Sequence, residues 1–352
     1  DDRLLSPQSF AVMRTRHFRD QPRAPGFAHG FMEAEVAGFN TFGHGGTLTG
    51  FISNMTIAPE LGIGVFVAAN AAERPRLPDA ISDFVIEYFA GVAREAPHGR
   101  SSASDAQIAA AKDVAGLYQP NRRVHSKLEK INATSAEMTI TARDDGSIVV
   151  TSGGSTKRYY PSEDDLWTDY GRNRIAAYRN EAGAIVRVAT SAGTNSYEKI
   201  GFLQSAASLN LGLGAATLFA ATMLLGAWRR QGRQDYLSPS DRYLFIAPFA
   251  SSIAWFGVVV AIGWATASLA NMDFAAQAKL GWPPSEIAYI SIAANIAAAL
   301  AVLTAATFPF VWTAEGWSVW RKIHFSLFVA AGLFAVYALW TWRLILAPVT
   351  TA

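Results

Sequence analysis

The sequence contains no cysteine, which excludes disulfide bonds, thiolate metal sites and a cysteine nucleophile. The six histidines are scattered, and none is placed in an HExxH pattern or in a pair four residues apart. We therefore expect no zinc site, and the sequence calls for no cofactor. Charged residues make up only 16% of the chain, the net charge is +2, and no basic run is interleaved with aromatic residues. Nucleic acid is consequently not an expected partner.

The few charges are unevenly distributed along the chain. Residues 1–204 carry most of them, whereas residues 205–352 contain long uncharged runs. A hydrophobic content of 51% is high for a wholly soluble protein. The imbalance predicts a water-facing region followed by a membrane region, with the lipid bilayer as a partner.

Four segments in the second region reach the roughly 20 apolar residues that span a hydrocarbon core. They cover about 204–228, 243–269, 287–312 and 323–346. Most tryptophans lie near their ends, as interfacial anchors do, and glycine and alanine in spans one and three favour close helix contact. Residues 202–348 are therefore predicted to form a four-helix transmembrane bundle.

The charges between the spans predict the orientation of the chain, because lysine and arginine accumulate on the cytoplasmic side. Connectors one and three are rich in these residues and connector two has only Lys279; the relevant cations are Arg229, Arg230, Arg233, Arg242, Arg321 and Lys322. Residues 1–204 and the C-terminus are therefore predicted to lie outside the cytoplasm, in a multi-pass protein of the cell (inner) membrane. Asn210, Asn295 and His324 are the strongest polar groups in the spans, so we expect an anchor, with a transporter or sensor as the alternative.

Residues 1–94 have a mixed α/β pattern. A helix is predicted over Pro7–Arg16 with Ser6 as its N-cap, and a second over Asp79–Phe89 with Asp79 as its N-cap. Strand patterns lie between the two helices, at 27–36, 51–57 and 63–69.

A linker at 95–106 separates this region from residues 107–201. There, turn sequences such as Asp-Asp-Gly and Gly-Gly divide six short alternating segments, at 138–141, 147–151, 158–161, 175–179, 184–190 and 196–200. This pattern predicts a small antiparallel β domain that could close into a barrel. A barrel of this size is expected to be filled by side chains, and a bound lipid or cell-wall fragment is the alternative.

The motif that carries chemistry is the glycine-rich segment from Thr41 to Phe51, in which small residues flank His44. Glycines at such a place suggest a backbone that another group approaches closely. A tight turn with an incidental histidine is the alternative on glycine content alone.

The order of residues around His44 resembles a known family. Gly-His-Gly-Gly-x-x-x-Gly-Phe at 43–51, followed by Pro-Glu-x-Gly-Ile-Gly-Val at 59–65 and a strand ending Ala69-Asn70, resembles the C-terminal motif region of the serine β-lactamase-related family. More narrowly, it is similar to the branch of class C β-lactamases, D-alanyl-D-alanine carboxypeptidases and esterases, in which His-x-Gly can replace Lys-Thr-Gly. The resemblance covers residues 3 to about 92. It implies that residues 1–94 are the α/β (α+β) C-terminal lobe of a β-lactamase/transpeptidase-like domain.

A looser similarity links Gly116 to Lys130, together with Tyr197-Glu198-Lys199, to the accessory β domain of membrane-anchored members.

The resemblance also implies residue roles. His44 and Gly46 would occupy the third motif on an edge strand that lines the site, and His44 would orient the substrate. The backbone N–H of Thr47 would be an oxyanion-hole donor. Gly45 would adjoin the substrate as the variable position between them.

The nucleophile motif Ser-x-x-Lys and the second motif Tyr-x-Asn should precede this point, but they are absent there. Ser196-Tyr197-Glu198-Lys199 has the first spelling, but it ends a strand pattern and is interpreted as chance. The sequence thus predicts part of a membrane-anchored serine hydrolase that forms an acyl-enzyme with D-Ala peptides, β-lactams or esters. Its partners would be such a small-molecule or peptide substrate and an upstream catalytic half, without which the chain would be inactive. The alternative is a noncatalytic membrane protein that binds cell-wall peptide or a partner.

Overall fold

A computed structural model describes residues 4–19, 24–48, 50–70, 76–91, 103–169, 173–190, 196–230, 239–272 and 284–347. These residues form a four-stranded sheet, a closed eight-stranded antiparallel barrel and four long apolar helices. The predicted mixed fold with a small β domain and a helical bundle is confirmed at this level. Most of the predicted linker at 95–106, together with Arg233 and Lys279, lies outside the described residues.

The helices are α1 (Pro7–Arg14), α2 (Leu77–Ala90), α3 (Asp105–Val114), α4 (Ala206–Arg229), α5 (Pro239–Ala270), α6 (Ser285–Ala306), α7 (Phe308–Thr313) and α8 (Val319–Thr341). The strands of the sheet are β1 (Met32–Val36), β2 (Phe39–Leu48), β3 (Phe51–Ala58) and β4 (Ile63–Ala69). The strands of the barrel are β5 (Gly116–Pro120), β6 (Met138–Ala142), β7 (Ile148–Ser152), β8 (Ser155–Glu163), β9 (Leu166–Thr168), β10 (Arg174–Arg179), β11 (Ile185–Thr190) and β12 (Ser196–Ile200). Short 3-10 helices occupy Pro59–Leu61, Leu128–Ala136 and Phe202–Gln204.

The chain divides into two compact units. The first comprises residues 1–122 and 135–200, and the second comprises residues 123–134 and 201–352. The sheet and the barrel therefore belong to the first unit, and the four long helices form most of the second. The domain boundaries at 94, 106 and 201 stay predictions.

The sheet has the order β1-β2-β3-β4, and every neighbouring pair is antiparallel. Residues of β3 alternate between buried and more exposed positions, as expected for a strand with one covered face. Val36, Ala58 and Ile86 form a small core between the sheet and α2. The predicted N-cap of α2 is wrong: the helix begins at Leu77 after Arg76, because Pro78 fits the first turn, and Asp79 follows within that turn.

The predicted small antiparallel β domain is confirmed, and the structure shows that it closes into a barrel with the cyclic strand order β10-β11-β12-β5-β6-β7-β8-β9. Its interior is a core of apolar side chains that includes Tyr118, Ile148, Trp167 and Val188, each almost fully buried. At the edge of this core, Trp167 Nε1 donates to the Gly146 carbonyl oxygen over 3.1 Å. Side chains thus fill the space that a bound lipid or cell-wall fragment would need.

The four long helices are long and apolar enough to cross a bilayer, which fits a multi-pass membrane protein. Small residues bring them together, since a Cβ atom on Gly212 of α4 would lie 3.1 Å from the Ala335 Cα atom of α8. The third predicted span differs from the prediction. It is divided at Thr307 into α6 and α7, because Pro309 in the first turn of α7 cannot continue the helix.

Two segments outside the long helices complete the second unit. Leu128 and Ala133, from the sequence between β5 and β6, belong to the same apolar core as the helices. After α8, the chain packs back against the bundle: the Ser291 hydroxyl donates to the Leu344 carbonyl oxygen over 2.9 Å, and Leu344 and Ile345 are buried.

Candidate functional site

The glycine-rich segment around His44 is a strand. It forms the second half of β2 and pairs with β3 in a regular antiparallel register, with His44 opposite Met55 and Gly46 opposite Ser53. The structure therefore places this segment on a strand and not in a tight turn.

The other side of β2 is only half covered. Strand β1 pairs with residues 39–43 of β2, and its register ends at the pair between Met32 and Gly43. Residues 44–48 pair with no described residue on that side, and all of them are exposed. We call His44–Leu48 the open edge.

The turn that precedes β1 explains why the open edge exists. Gly30 has a positive φ of 72°, and the Ala28 N–H donates to the Phe31 carbonyl oxygen over 2.9 Å. This turn directs the chain back toward Phe27, which bridges Met32. Upstream residues therefore pair with the start of β1 and do not continue along β2.

Two of the three glycines of β2 lie too close to β3 for a Cβ atom to fit without a shift of a neighbouring atom. A Cβ atom on Gly43 would lie 1.9 Å from the Met55 carbonyl oxygen, and one on Gly46 would lie 2.6 Å from the Ser53 hydroxyl oxygen. At Gly45 the nearest atom would be the Ser53 carbonyl oxygen at 3.6 Å, an ordinary contact. Gly45 is thus the position where a larger residue could be accommodated without displacing a neighbour.

The open edge contains the predicted site residues as consecutive positions, His44, Gly45, Gly46 and Thr47. Cross-strand partners and alternate residues share a face of a sheet, so His44, Gly46 and Ser53 lie on one face. The imidazole of His44 makes no hydrogen bond with any described residue. Its ring is therefore available to a ligand, and the roles assigned to these residues stay predictions.

The residues that match the Ser-x-x-Lys nucleophile motif lie far from the open edge in sequence and belong to a different sheet. Ser196 and Lys199 belong to strand β12 of the barrel. Ser196 is buried, whereas Lys199 Nζ donates to the Asp113 carbonyl oxygen over 2.6 Å. Burial lowers the pKa of Lys199, and the negative charge of Asp113 acts in the opposite direction. Ser196 and Lys199 thus contribute to the barrel structure, as expected if the match to Ser-x-x-Lys is a coincidence.

Within the described ranges, no group of three or more His, Asp or Glu side chains could hold a metal ion. Sequence reasoning did not single out Ser53, whose hydroxyl lies beside Gly46. The available signal was its position in the alternation of β3, which places it on the less buried face.

Comparison with known proteins gives no family. No family model matches the chain, and no curated protein matches it. Two crystal structures of SurE, one of them with D-Leu, align with 56% of this chain at 22% and 20% identity and a TM-score of 0.33. The octameric penicillin-binding protein homologue from Pyrococcus abyssi aligns with 55% of this chain at 17% identity and a TM-score of 0.24. These alignments cover 42% to 44% of the solved chains, so the present chain spans less than half of their length.

The predicted membership in the serine β-lactamase-related family is wrong by these comparisons. The TM-scores are too low to carry an argument for a shared fold, including the one with the penicillin-binding protein homologue. The structure accordingly supports a four-stranded sheet covered by α2, and not the stated lobe of a β-lactamase/transpeptidase-like domain. Packing within the sheet already accounts for two glycines of the motif, because a Cβ atom on Gly43 would collide with the Met55 backbone and one on Gly46 would displace the Ser53 hydroxyl.

Proposed function

We propose that the chain is part of a membrane-anchored protein whose sheet binds an extended peptide, or a peptide-like acyl substrate, along the open edge outside the cytoplasm. The observation that carries the proposal is that residues 44–48 pair with β3 on one side and with no described residue on the other. An exposed strand edge offers unpaired N–H and C=O groups, and an extended peptide satisfies them by adding a strand.

The composition of the open edge favours a ligand that approaches closely. Successive residues of a strand direct their N–H and C=O groups alternately to its two sides. At least two of the five residues from His44 to Leu48 therefore direct their N–H and C=O groups to the side that faces away from β3. Gly45 and Gly46 place no side chain between the strand and a ligand. Peptide binding here needs only main-chain hydrogen bonds, and side-chain contacts would select among peptides.

His44 supplies such a side-chain contact. Its ring is exposed, and it can donate a hydrogen bond to a substrate carboxylate or carbonyl oxygen. Gly46 and Ser53 share the face of His44, so a ligand on this face would meet one imidazole and one hydroxyl. The N–H of Thr47 is proposed as the donor to the oxyanion of a tetrahedral intermediate.

The reaction we propose is hydrolysis through a serine acyl-enzyme, with D-Ala peptides, β-lactams or carboxylic esters as substrates. His44 is hydrogen bonded to no described serine, lysine or tyrosine side chain. The proposal therefore requires a serine nucleophile from another polypeptide segment, with a neighbouring base that activates it. In this scheme the open edge positions the acyl group and stabilises the oxyanion.

The absence of a nucleophile partner for His44 among the described residues favours a second candidate function. In that alternative, the open edge binds a cell-wall peptide or a protein partner in extended form and performs no chemistry. Both functions place the peptide along the open edge in the same way, but only the hydrolase forms an acyl-enzyme.

The proposed location outside the cytoplasm is supported by the cations at one end of the bundle. Thr222 of α4 and His324 of α8 are hydrogen bonded over 2.8 Å, so the end of α4 lies beside the start of α8. Arg229, Arg321 and Lys322 are all placed at this end. Lysine and arginine in the short connectors between spans accumulate on the cytoplasmic side, so we propose that this end is cytoplasmic and that the end where α4 begins lies outside.

Two measurements test the function. The first is fluorescence anisotropy of a labelled peptide that ends in D-Ala-D-Ala, which is expected to detect binding to the purified full chain. His44→Ala is expected to weaken this binding about tenfold, which corresponds to the loss of one charge-assisted hydrogen bond. His17→Ala, which changes an exposed histidine outside the open edge, is the control. Native membranes are then treated with a fluorophosphonate probe. A labelled band containing this chain or bound to it supports the hydrolase, whereas peptide binding without any label supports the noncatalytic alternative.

A further inference from the structure

Two cations and two tryptophans converge at the end of the second unit where α8 ends and α4 begins. We call Lys130, Arg343, Trp340 and Trp342 the terminal cluster. Lys130 Nζ donates a hydrogen bond to the Thr341 carbonyl oxygen over 2.7 Å and lies 6.0 Å from the centre of the Trp342 ring. The Arg343 guanidinium carbon lies 5.7 Å from the centre of the Trp340 ring. Two positive charges from distant parts of the sequence thus meet at one helix end.

The cluster lies level with the ends of two long helices. Trp342 Nε1 donates to the Ser205 carbonyl oxygen over 3.3 Å, and Ser205 is the N-cap of α4. Trp340 is exposed on the outside of the unit. Exposed tryptophans at the ends of spanning helices lie among lipid headgroups. The terminal cluster therefore faces the headgroup layer of the membrane.

The positive charge of the cluster is not neutralised within the described part of the chain. Neither Lys130 nor Arg343 forms a salt bridge with a described carboxylate. The hydrogen bond to Thr341 uses one of the three N–H donors of Lys130, and the Arg343 side chain donates to no described residue. Several strong donors consequently remain for an anion.

The electrostatics of Lys130 agree with this geometry. Burial lowers the pKa of Lys130, and the positive charges of Arg123 and Arg343 lower it further. Cations that are brought together without an anion repel one another, and a bound anion relieves the repulsion. Arginine and lysine bind phosphate oxygens through charge-assisted hydrogen bonds, and the lipid headgroups at this level of the membrane supply such oxygens.

We propose that Lys130 and Arg343 bind the phosphodiester of an anionic membrane lipid at the outer surface of the helical unit. Arg343 would contact the phosphate in a bidentate manner, Lys130 would add a point charge, and the ring of Trp340 would pack against the lipid backbone. The position of the cluster level with Ser205 favours a lipid over a free phosphate ion. The inference is independent of the open edge.

Native mass spectrometry of the full chain tests the proposal, after reconstitution in phosphatidylcholine discs with increasing phosphatidylglycerol. We expect wild type to retain phosphatidylglycerol, and Lys130→Gln and Arg343→Gln each to weaken its binding about fivefold. Lys130→Arg should bind as wild type does, because it keeps the charge. Arg229→Gln, which removes an exposed cation at the end of α4, should leave binding unchanged and is the matched control.

Three outcomes would overturn the proposal. The first is phosphatidylglycerol binding that is equal in wild type, Lys130→Gln and Arg343→Gln. The second is an equal loss in Arg229→Gln, which would mean a general charge effect. The third is competition by soluble glycerol phosphate as strong as that by the lipid, which would identify a free phosphate site. If Lys130→Gln fails to fold after losing its bond to Thr341, Arg343→Gln decides the test, since its side chain bonds no described residue.

Discussion

Asn295 Oδ1 accepts a hydrogen bond from the backbone N–H of Leu346 over 3.2 Å, although 51 positions separate the two residues. The Nδ2 group of the same side chain donates to the Ser291 carbonyl oxygen over 2.8 Å. Asn295 therefore joins the segment after α8 to the middle of α6. This structural role accounts for one of the few strongly polar side chains in the spans, and it agrees with an anchoring function.

Replacement of Asn295 by leucine is expected to release the segment that follows α8. The variant loses the acceptor of the Leu346 N–H, which should lower the free energy of unfolding by about 1 kcal/mol. Hydrogen exchange of the Leu346 amide in detergent should accelerate. Asn210→Leu is the control, because Asn210 lies exposed on α4 and should show neither change. Equal effects of both substitutions would contradict the assigned role.

The buried tyrosines of the barrel predict a loss of stability at alkaline pH. Burial, reinforced by the negative charge of Asp169, raises the pKa of Tyr159 to about 12, and nearby Arg76 opposes the shift. Because the pKa in the folded state exceeds the unfolded value of 10.0, the folded protein retains the proton longer, and stability falls as pH rises from 10 to 12.

Tyr159→Phe should therefore make the decline of stability between about pH 10 and pH 12 shallower, by up to about 2 kcal/mol over the interval. Denaturant unfolding of the full chain, followed by near-ultraviolet circular dichroism of the barrel, measures it. The adjacent Tyr160→Phe is the control, since Tyr160 is less buried. A decline equally steep in wild type and Tyr159→Phe would show that Tyr159 does not titrate as described.

The absence of cysteine makes the membrane topology directly measurable. Glu181→Cys places a thiol in the exposed turn between β10 and β11, and Arg229→Cys places one at the end of α4. In right-side-out vesicles, a membrane-impermeant maleimide should label Glu181→Cys and not Arg229→Cys. Both variants should react after permeabilisation. The opposite labelling pattern would place the barrel in the cytoplasm.

Most elements of this fold could be predicted from local patterns. Alternation and turn sequences predicted β3, β4 and six of the barrel strands, and apolar runs predicted the long helices. Closure of the barrel and the short strands β5 and β9 depend on pairing partners distant in sequence, which no local pattern encodes. The break at Thr307 was missed because the apolar run continues through it, although Pro309 was a visible signal.

The sequence indicated where the candidate site lies, but not which contacts explain its glycines or why one side of its strand is open. The glycines around His44 indicated a close backbone approach, and the structure adds that β3 makes this approach at Gly43 and Gly46. The open edge exists because β1 begins at Met32, opposite Gly43, immediately after the turn at Gly30. The sequence could not show that Lys130 lies at the end of α8. Its 3-10 helix, Leu128–Ala136, has no hydrophobic periodicity that would indicate which element it packs against.

The most direct test of the central claim is peptide binding to Gly45→Pro and Gly46→Pro. Their N–H groups point to opposite sides of β2, so one proline removes a hydrogen bond to β3 and the other removes a donor from the open edge. Thermal unfolding identifies which is which. We predict that the variant with near wild-type stability loses binding of the labelled peptide by at least about tenfold. Undiminished peptide binding by that stable variant would contradict a peptide site at the open edge.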